Sequence, residues 1–281
     1  MKKVVIIPNL NKDDNLKVTR TVTDRLVGNG ISVYLSEGLL GAEGRNAVKY
    51  KEFPGDAELI IVVGGDGSVI DASKYAVEND LPILGINLGK VGYLAELDAD
   101  KLDQLDLLSR GEFVISEKML LEAEKLGEGD LARLAVNDVV VSHESYLGIA
   151  DMKIEDSIGN CVKYRADGII FATPQGSTAY SLSGGGPIVA HDVESIVMTP
   201  VCPHSFFNRS VLFNSDDEIS ITNIGTTELN ISIDGRCVGN LSGGQTCKVK
   251  KAKTKIKMIA FSKNSMFSNL FKKMRLLEDM D

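Results

Sequence analysis

The chain has 281 residues, 43% hydrophobic and 25% charged, a globular balance that excludes a disordered or fibrous protein. A formal net charge of -8 at pH 7 disfavours a general nucleic-acid binder, which needs a basic surface. No apolar run reaches the roughly 18 residues of a membrane span, and the short one after Met-Lys-Lys lacks the length and cleavage site of a signal peptide, so the expected compartment is the cytoplasm.

Residues 4–8 are an apolar run that reads as a buried strand. Asp13 or Asp14 is placed to cap a helix carrying Leu16, Val18, Val22 and Leu26, which stops near Gly28 and Gly30. Strands follow at 31–35 and 59–63, the second apolar throughout, as parallel strands buried on both faces are. A helix over 69–77 and a strand over 83–86 come next, and Leu102, Leu105 and Leu108 mark one more helical face. The alternation predicts a Rossmann-like α/β domain with a parallel sheet over residues 1–112.

From 113 to 263 the rhythm changes. Residues 119–126, 131–142, 147–156, 161–164 and 169–172 read as strands, with turns rich in Gly, Asn and Asp. Asp234-Gly235 is a short hairpin signal. This predicts a β-rich, β-sandwich-like C-terminal domain. Lys251, Lys253, Lys255 and Lys257 alternate with Ala252, Thr254, Ile256 and Met258; period two puts the lysines on one strand face, either simply solvated or attracting phosphate. Phe267, Leu270, Phe271 and Met274 return to helical spacing, so 264–281 is expected to complete the first domain.

Cys161, Cys202, Cys237 and Cys247 fit no zinc or C-x-x-C spacing and read as small buried thiols. Of His143, His191 and His204, only His204 falls near a polar motif, where a structural role is expected. No cluster has the spacing of a structural metal site.

Three segments carry chemistry. Gly64-Gly65-Asp66-Gly67-Ser68 leaves a buried strand and opens a helix. Amides at a helix N-terminus favour anions, and glycines let a phosphate approach. The segment lacks the dinucleotide fingerprint spacing and the P-loop lysine. It offers instead a carboxylate, which either caps the helix or takes a proton from an attacking hydroxyl. The run 87–96, with Gly89, Gly92 and Tyr93, permits a tight turn and a ring contact from Tyr93. Asn137-Asp138 interrupts an apolar strand at a desolvation cost unless partnered. The longest segment is Arg165-Ala166-Asp167-Gly168 followed, after one strand, by 173–187. There Thr173, Ser177, Thr178, Ser181 and Ser183 fall within eleven residues, and 178–183 predicts a short helix presenting amides and hydroxyls to a ribose or phosphate.

In order and spacing these segments, with 201–205 and Asp234-Gly235, resemble the bacterial NAD kinase family over nearly the whole chain. The resemblance implies a phosphotransferase that moves a phosphoryl group from ATP or polyphosphate, with a divalent metal such as Mg²⁺, to the adenosine ribose 2′-hydroxyl of NAD. It makes Asp66 the catalytic base, with Gly64, Gly65 and Ser68 in the phosphate loop. NAD contacts fall by matching position on Asp66, Gly67, Asn137, Asp138, Arg165 and Asp167. They continue through Thr178, Ala179, Tyr180, Ser181, Leu182 and Ser183, then Cys202 and Arg236. The adenosine half is expected against 178–183 and Asp167, and the family implies a homodimer or homotetramer. This chain departs from many relatives at Ser68 (Thr), Asp138 (Glu), Gln175 (a smaller residue) and Arg236 (Gln or Asn). Two other readings stay open: a lipid or sugar kinase with the same glycine loop, and a non-catalytic dinucleotide sensor.

Overall fold

The computed structural model describes residues 1–36, 48–89, 92–126, 133–143, 148–204 and 206–261. The chain forms two compact units, one of Met1–Glu117 with the segment from Ile256 onward, the other of Lys118–Lys255. The divisions fall inside two long strands, Val114–Leu126 and Thr246–Ala260.

The first unit contains β1 (Lys3–Pro8), α1 (Lys17–Gly28), β2 (Ser32–Ser36), β3 (Val48–Tyr50), β4 (Leu59–Gly64), α2 (Asp66–Glu78), β5 (Ile83–Asn87), a two-residue β6 (Leu97–Asp98) and α3 (Asp106–Arg110). Its sheet runs β3-β2-β1-β4-β5, and every pair is parallel. The register sets Pro8 beside Val63 and Gly64 beside Asn87. Met258 adds a further parallel pairing beyond β5. β4 is buried along its whole length, and Val4, Ile6, Leu26, Val33, Ile61, Val63, Leu84 and Ile86 share one core. Apolar continuity in β1, β4 and β5 has this physical cause, because a parallel strand covered on both faces exposes no side chain to water.

Asp13, not Asp14, caps α1. Its carboxylate accepts hydrogen bonds from the Val18 and Thr19 amides, each at 2.9 Å, and from Thr19 Oγ1 at 2.6 Å. α2 starts three residues before the expected 69. The Leu102 face is a 3-10 turn, Leu102–Leu105, running into the short α3.

The second unit contains β7 (Val114–Leu126) from Lys118 onward, β8 (Arg133–Ala135), β9 (Asp138–His143), β10 (Ala150–Glu155), β11 (Cys161–Ala166), β12 (Gly168–Ala172), α4 (Tyr180–Ser183), β13 (Ser195–Val201), β14 (Val211–Asn214), β15 (Ile219–Asn223), β16 (Leu229–Ile233), β17 (Arg236–Leu241) and β18 (Thr246–Ala260) up to Lys255. One layer runs β11-β10-β15-β18, the other β14-β13-β12-β9-β16-β17, antiparallel throughout. Met152, Ile154, Ile221 and Val249 from the first layer share a core with Val139, Val141, Phe171, Met198 and Ile231 from the second. Alternating buried and half-buried residues, as along β15 and β16, are what two sheets packed face to face require.

Two expectations are corrected. The strand expected over 131–142 is broken at Val136 and Asn137. Cys161, Cys202 and Cys237 are exposed and only Cys247 is buried, where burial pushes its thiol up to about 12. The buried positions of β18 run 247, 249, 252, 256 and 259, so over 251–257 the lysines stay off the buried positions, as their alternation with Ala252 and Ile256 predicts. Lys251 and Lys255 meet Glu194, and Lys257 meets Asp80, so most of this charge is spent on acidic neighbours. The helix expected in 264–281 lies outside the described residues, as do Lys90, Val91 and Ser205.

Candidate active site

In the first unit β2 and β3 extend the sheet to one side of β1, and β4 and β5 to the other. The strand order therefore reverses between β1 and β4. In an open parallel sheet the loops leaving the carboxyl ends of two such strands diverge and leave a crevice, the usual ligand position of this architecture. The loops here are 9–13 after β1 and 64–68 after β4. They are tied together: Asn9 donates its amide to the Val63 carbonyl at 2.8 Å and its side-chain NH₂ to Ser68 Oγ at 2.7 Å. Gly64 is required by this packing, since a Cβ there would collide with the Ser68 side chain.

Asp66 is the first residue of α2, and Gly65 is its N-cap with no side-chain cap bond. The Asp66 carboxylate turns away from its own helix. Oδ2 accepts the Tyr93 amide at 2.8 Å and Oδ1 the Leu94 amide at 3.0 Å. Asp66 is therefore not the helix cap that its position allows. Each oxygen spends one acceptor site on a fixed amide and keeps a second. The carboxylate is thus oriented by backbone yet still able to accept a proton, and Asp66 is partly exposed while Gly67 is exposed. The 87–96 turn that holds it is set by Asn87, whose buried side chain bonds the backbone of Gly89 through both its NH₂ and its carbonyl. Tyr93 is half-buried.

In the second unit the centre of the polar cluster is Asp234, which the sequence marked only as a turn residue. Asp234 and Gly235 both have positive φ, 48° and 79°, and form the two-residue turn between β16 and β17, where Asp and Gly accept the left-handed conformation with least strain. The Asp234 carboxylate accepts three successive amides, from Val136 (2.9 Å), Asn137 (2.7 Å) and Asp138 (3.1 Å). This explains the strand break: amides that a ladder would use turn instead to a buried carboxylate. Asp138 is 4% exposed. Burial first, and then the charge of Asp234, push its carboxyl up to about 7, against a backbone hydrogen bond from Tyr180.

A pH-dependent stability follows. The folded chain keeps the Asp138 proton to about pH 7, while the unfolded chain loses it near the ordinary carboxylate value of 3.8. The folded state thus holds more protons between these values, and Asp138 lowers stability as pH rises through that window. Asp138→Asn is expected to match the wild type in urea unfolding at pH 4 and to exceed it at pH 8, on the order of 3 kcal/mol. A difference constant with pH would refute the assignment.

The hydroxyl-rich run divides by burial. Thr173, Ser177 and Ser181 are fully buried. Thr173 Oγ1 donates to the Val136 carbonyl at 2.7 Å and accepts the Gly176 amide at 2.9 Å. Ser177 bonds the Pro174 carbonyl and the Val189 amide, and Ser181 bonds Thr199 Oγ1. These three build the scaffold. Tyr180, Leu182 and Ser183 are exposed, with Thr178 and Ala179 intermediate, and these face outward. Gln175 is buried with an unpartnered side-chain carbonyl oxygen.

Asp167 sits elsewhere. β12 places Asp138 beside Ala172 at one end and Ser142 and Val201 beside Gly168 at the other. Asp167 precedes that second end, so roughly 17 Å of strand separates the two groups at about 3.3 Å per residue. Around Asp167 stand Cys202, whose thiol is pushed up by a hydrogen bond to that carboxylate and by its charge, and His204, whose amide donates to the Arg165 carbonyl at 2.7 Å. Arg165 is exposed, 3.9 Å from Asp151. Arg236 lies at the Asp234 end, where its charge acts on that carboxylate. The residues expected around one adenosine thus form two separate groups within a single chain.

Sequence reasoning passed over Asn9 and Lys12 in the β1 loop and Asp234 in the hairpin. The signal for the first two was a polar Asn-Leu-Asn-Lys-Asp run straight after a buried strand. Among the described residues no group of three His, Cys, Asp or Glu side chains converges to hold a metal, and no helix is long and apolar enough to cross a membrane.

Comparison with known proteins agrees with this architecture. Residues 4–113 match the ATP-NAD kinase N-terminal domain and residues 136–261 the ATP-NAD kinase C-terminal domain. An NAD kinase of Caldanaerobacter subterraneus subsp. tengcongensis is 36% identical over 97% of this chain and 98% of its own. One from Lachnoclostridium phytofermentans is 37% identical over 95% and 96%. Among solved structures, a yeast NADH kinase complexed with NADH shares the fold at TM-score 0.85 and 21% identity, covering 98% of this chain and 87% of its own. An Archaeoglobus fulgidus NAD kinase in complex with ATP shares it at TM-score 0.72 and 21% identity, covering 98% and 99%. With both domain families matched in order and relatives above 30% identity along nearly its full length, the chain belongs to the NAD kinase family.

Proposed function

We propose that this chain transfers the terminal phosphoryl group of ATP, or of polyphosphate, to the 2′-hydroxyl of the adenosine ribose of NAD, giving NADP. The observation that carries this reading is Asp66: a carboxylate at the strand-order reversal, held by two backbone amides and free to accept one more hydrogen bond. A ribose hydroxyl is a far weaker acid than a carboxylic acid, so Asp66 orients it and takes its proton as the new oxygen–phosphorus bond forms. The bond between the γ-phosphorus and the bridging oxygen breaks, and ADP leaves with that electron pair. Gly64, Gly65, Gly67 and Ser68 let the donor phosphates approach the N-terminus of α2, where positioning and electrostatics dominate this chemistry.

A divalent ion such as Mg²⁺ enters on the donor phosphates as part of the substrate. Asn137, Asp138 and the outward-facing Thr178, Ala179 and Tyr180 are assigned to NAD, and Arg165, Asp167 and Cys202 to a separate contact group. A cytoplasmic location and a homodimer or homotetramer belong to the same reading.

The test is an assay of purified protein with NAD, ATP and Mg²⁺, read through an NADP-specific dehydrogenase. NADP formation is expected. NAD binding by calorimetry without turnover would replace the proposal with a dinucleotide sensor, and phosphorylation of a lipid or sugar instead of NAD with another kinase.

A further inference from the structure

We propose that Lys12 is a donor-phosphate residue of this enzyme, a basic group supplied by the loop after β1 in a fold whose glycine loop lacks the P-loop lysine. The proposal rests on the phosphoryl-transfer reading above and names the residue that meets the donor.

Lys12 is held at its position by a built turn. Its amide and that of Asp13 both donate to the Asn9 carbonyl, at 3.1 and 2.9 Å, and the Asn11 amide donates to Asn9 Oδ1 at 3.0 Å. Asn9 is in turn fastened to β4 and to Ser68, and Asp13 to the start of α1. The loop therefore has little freedom, and it directs the lysine across the strand-order reversal to the glycine loop. A Cβ at Gly65 would stand 2.9 Å from Lys12 Nζ, so the ammonium group lies directly against the glycine loop. Gly65 has extended backbone angles, φ -116° and ψ -172°, which any residue adopts. Backbone strain therefore does not account for the glycine at this position.

Among the described residues no carboxylate pairs with Lys12, including the adjacent Asp66. Most lysines of β18, by contrast, are matched to Glu or Asp. An unpaired ammonium beside a glycine loop and the N-terminus of a 13-residue helix presents positive potential to one kind of ligand, the terminal phosphates of a nucleotide or polyphosphate chain. There it offsets charge on the transferring group and on the leaving β-phosphate, while Asp66 on the next residue serves the acceptor hydroxyl.

The experiment combines Lys12→Met, which keeps the apolar stem without the charge, Lys12→Arg, Gly65→Ala and the double variant Lys12→Met with Gly65→Ala. In turnover assays Lys12→Met is expected to lower kcat/KM for ATP by about 10- to 100-fold, with the KM for NAD and the melting temperature unchanged and Lys12→Arg recovering part of the loss. Gly65→Ala is expected to weaken ATP use in the wild-type background and, because its methyl crowds the ammonium as well as the phosphate path, to combine less than additively with Lys12→Met. Calorimetry with inorganic tripolyphosphate, which needs no acceptor and no chemistry, is expected to show weaker binding to Lys12→Met than to wild type. If the wild type makes no NADP yet binds tripolyphosphate through Lys12, the acceptor assignment fails and the lysine assignment stands. Unchanged ATP kinetics and unchanged tripolyphosphate affinity in Lys12→Met would overturn it.

Discussion

Replacing Asp66 with Asn is expected to lower NADP formation by roughly 10²-fold or more, since an amide cannot take the hydroxyl proton in the transition state. The geometry adds a second consequence. The carboxylate accepts amides on both oxygens, whereas an Asn side chain has one accepting oxygen and sets its NH₂ against either the Tyr93 or the Leu94 amide. A donor left without an acceptor costs about 1–3 kcal/mol, so the variant should melt a few degrees lower, and the 87–96 turn should loosen. The catalytic and structural effects separate in two measurements. A missing base leaves NAD affinity by calorimetry nearly intact while turnover falls. A displaced turn weakens NAD binding in proportion to the lost rate. Turnover near wild type would remove Asp66 from the base role altogether.

Replacing Asp234 with Ala is expected to be strongly destabilising to the second unit. Three amides lose one shared acceptor, and the alanine must hold a φ of 48°, which Asp and Asn tolerate better. Burial pushes the Asp234 carboxyl up while the three amides pull it down, so part of the wild-type bonding is offset by desolvation. The net loss is about 3–5 kcal/mol, a large share of a typical domain's stability. Asp234→Asn keeps the turn and one accepting oxygen and should lose about half as much. Urea unfolding of the two variants gives the comparison. Equal stability of Asp234→Ala and wild type would show that the three amides find other acceptors. Because the same amides belong to Asn137 and Asp138, the Ala variant should also weaken NAD binding, which makes Asp234 a positioning residue for those contacts.

Local pattern carried the fold. The apolar runs at 4–8, 59–63 and 83–86, each followed by a helical pattern or a glycine turn, read directly as a parallel α/β sheet, and β1, β4 and β5 lie there. The later short strands and the Asp234-Gly235 turn read as an antiparallel layered unit, for the same reason: side-chain period and turn conformation depend on neighbours a few residues away. The glycine loop and the 173–187 run were visible as composition, and their order along the chain identified the family.

Function within those segments was a matter of long-range contacts, which no local pattern encodes. Asp66 was equally a helix cap or a free carboxylate until its partners appeared 27 and 28 residues away. Asn137-Asp138 read as polar residues inside a strand, because the acceptor that breaks the strand lies 97 residues later. Thr173, Ser177 and Ser181 looked like ligand groups, yet burial commits Thr173 and Ser177 to backbone partners and Ser181 to the Thr199 hydroxyl. Lys12 looked like any surface lysine, and only the parallel pairing of β1 with β4 brings it to Gly65. The sequence by itself determined the two kinds of layer, the loop that offers a carboxylate to a phosphate site, and the family. The tertiary structure decided which polar groups are scaffold and which remain available, because a hydrogen bond between distant segments exists only once the sheets have set their register.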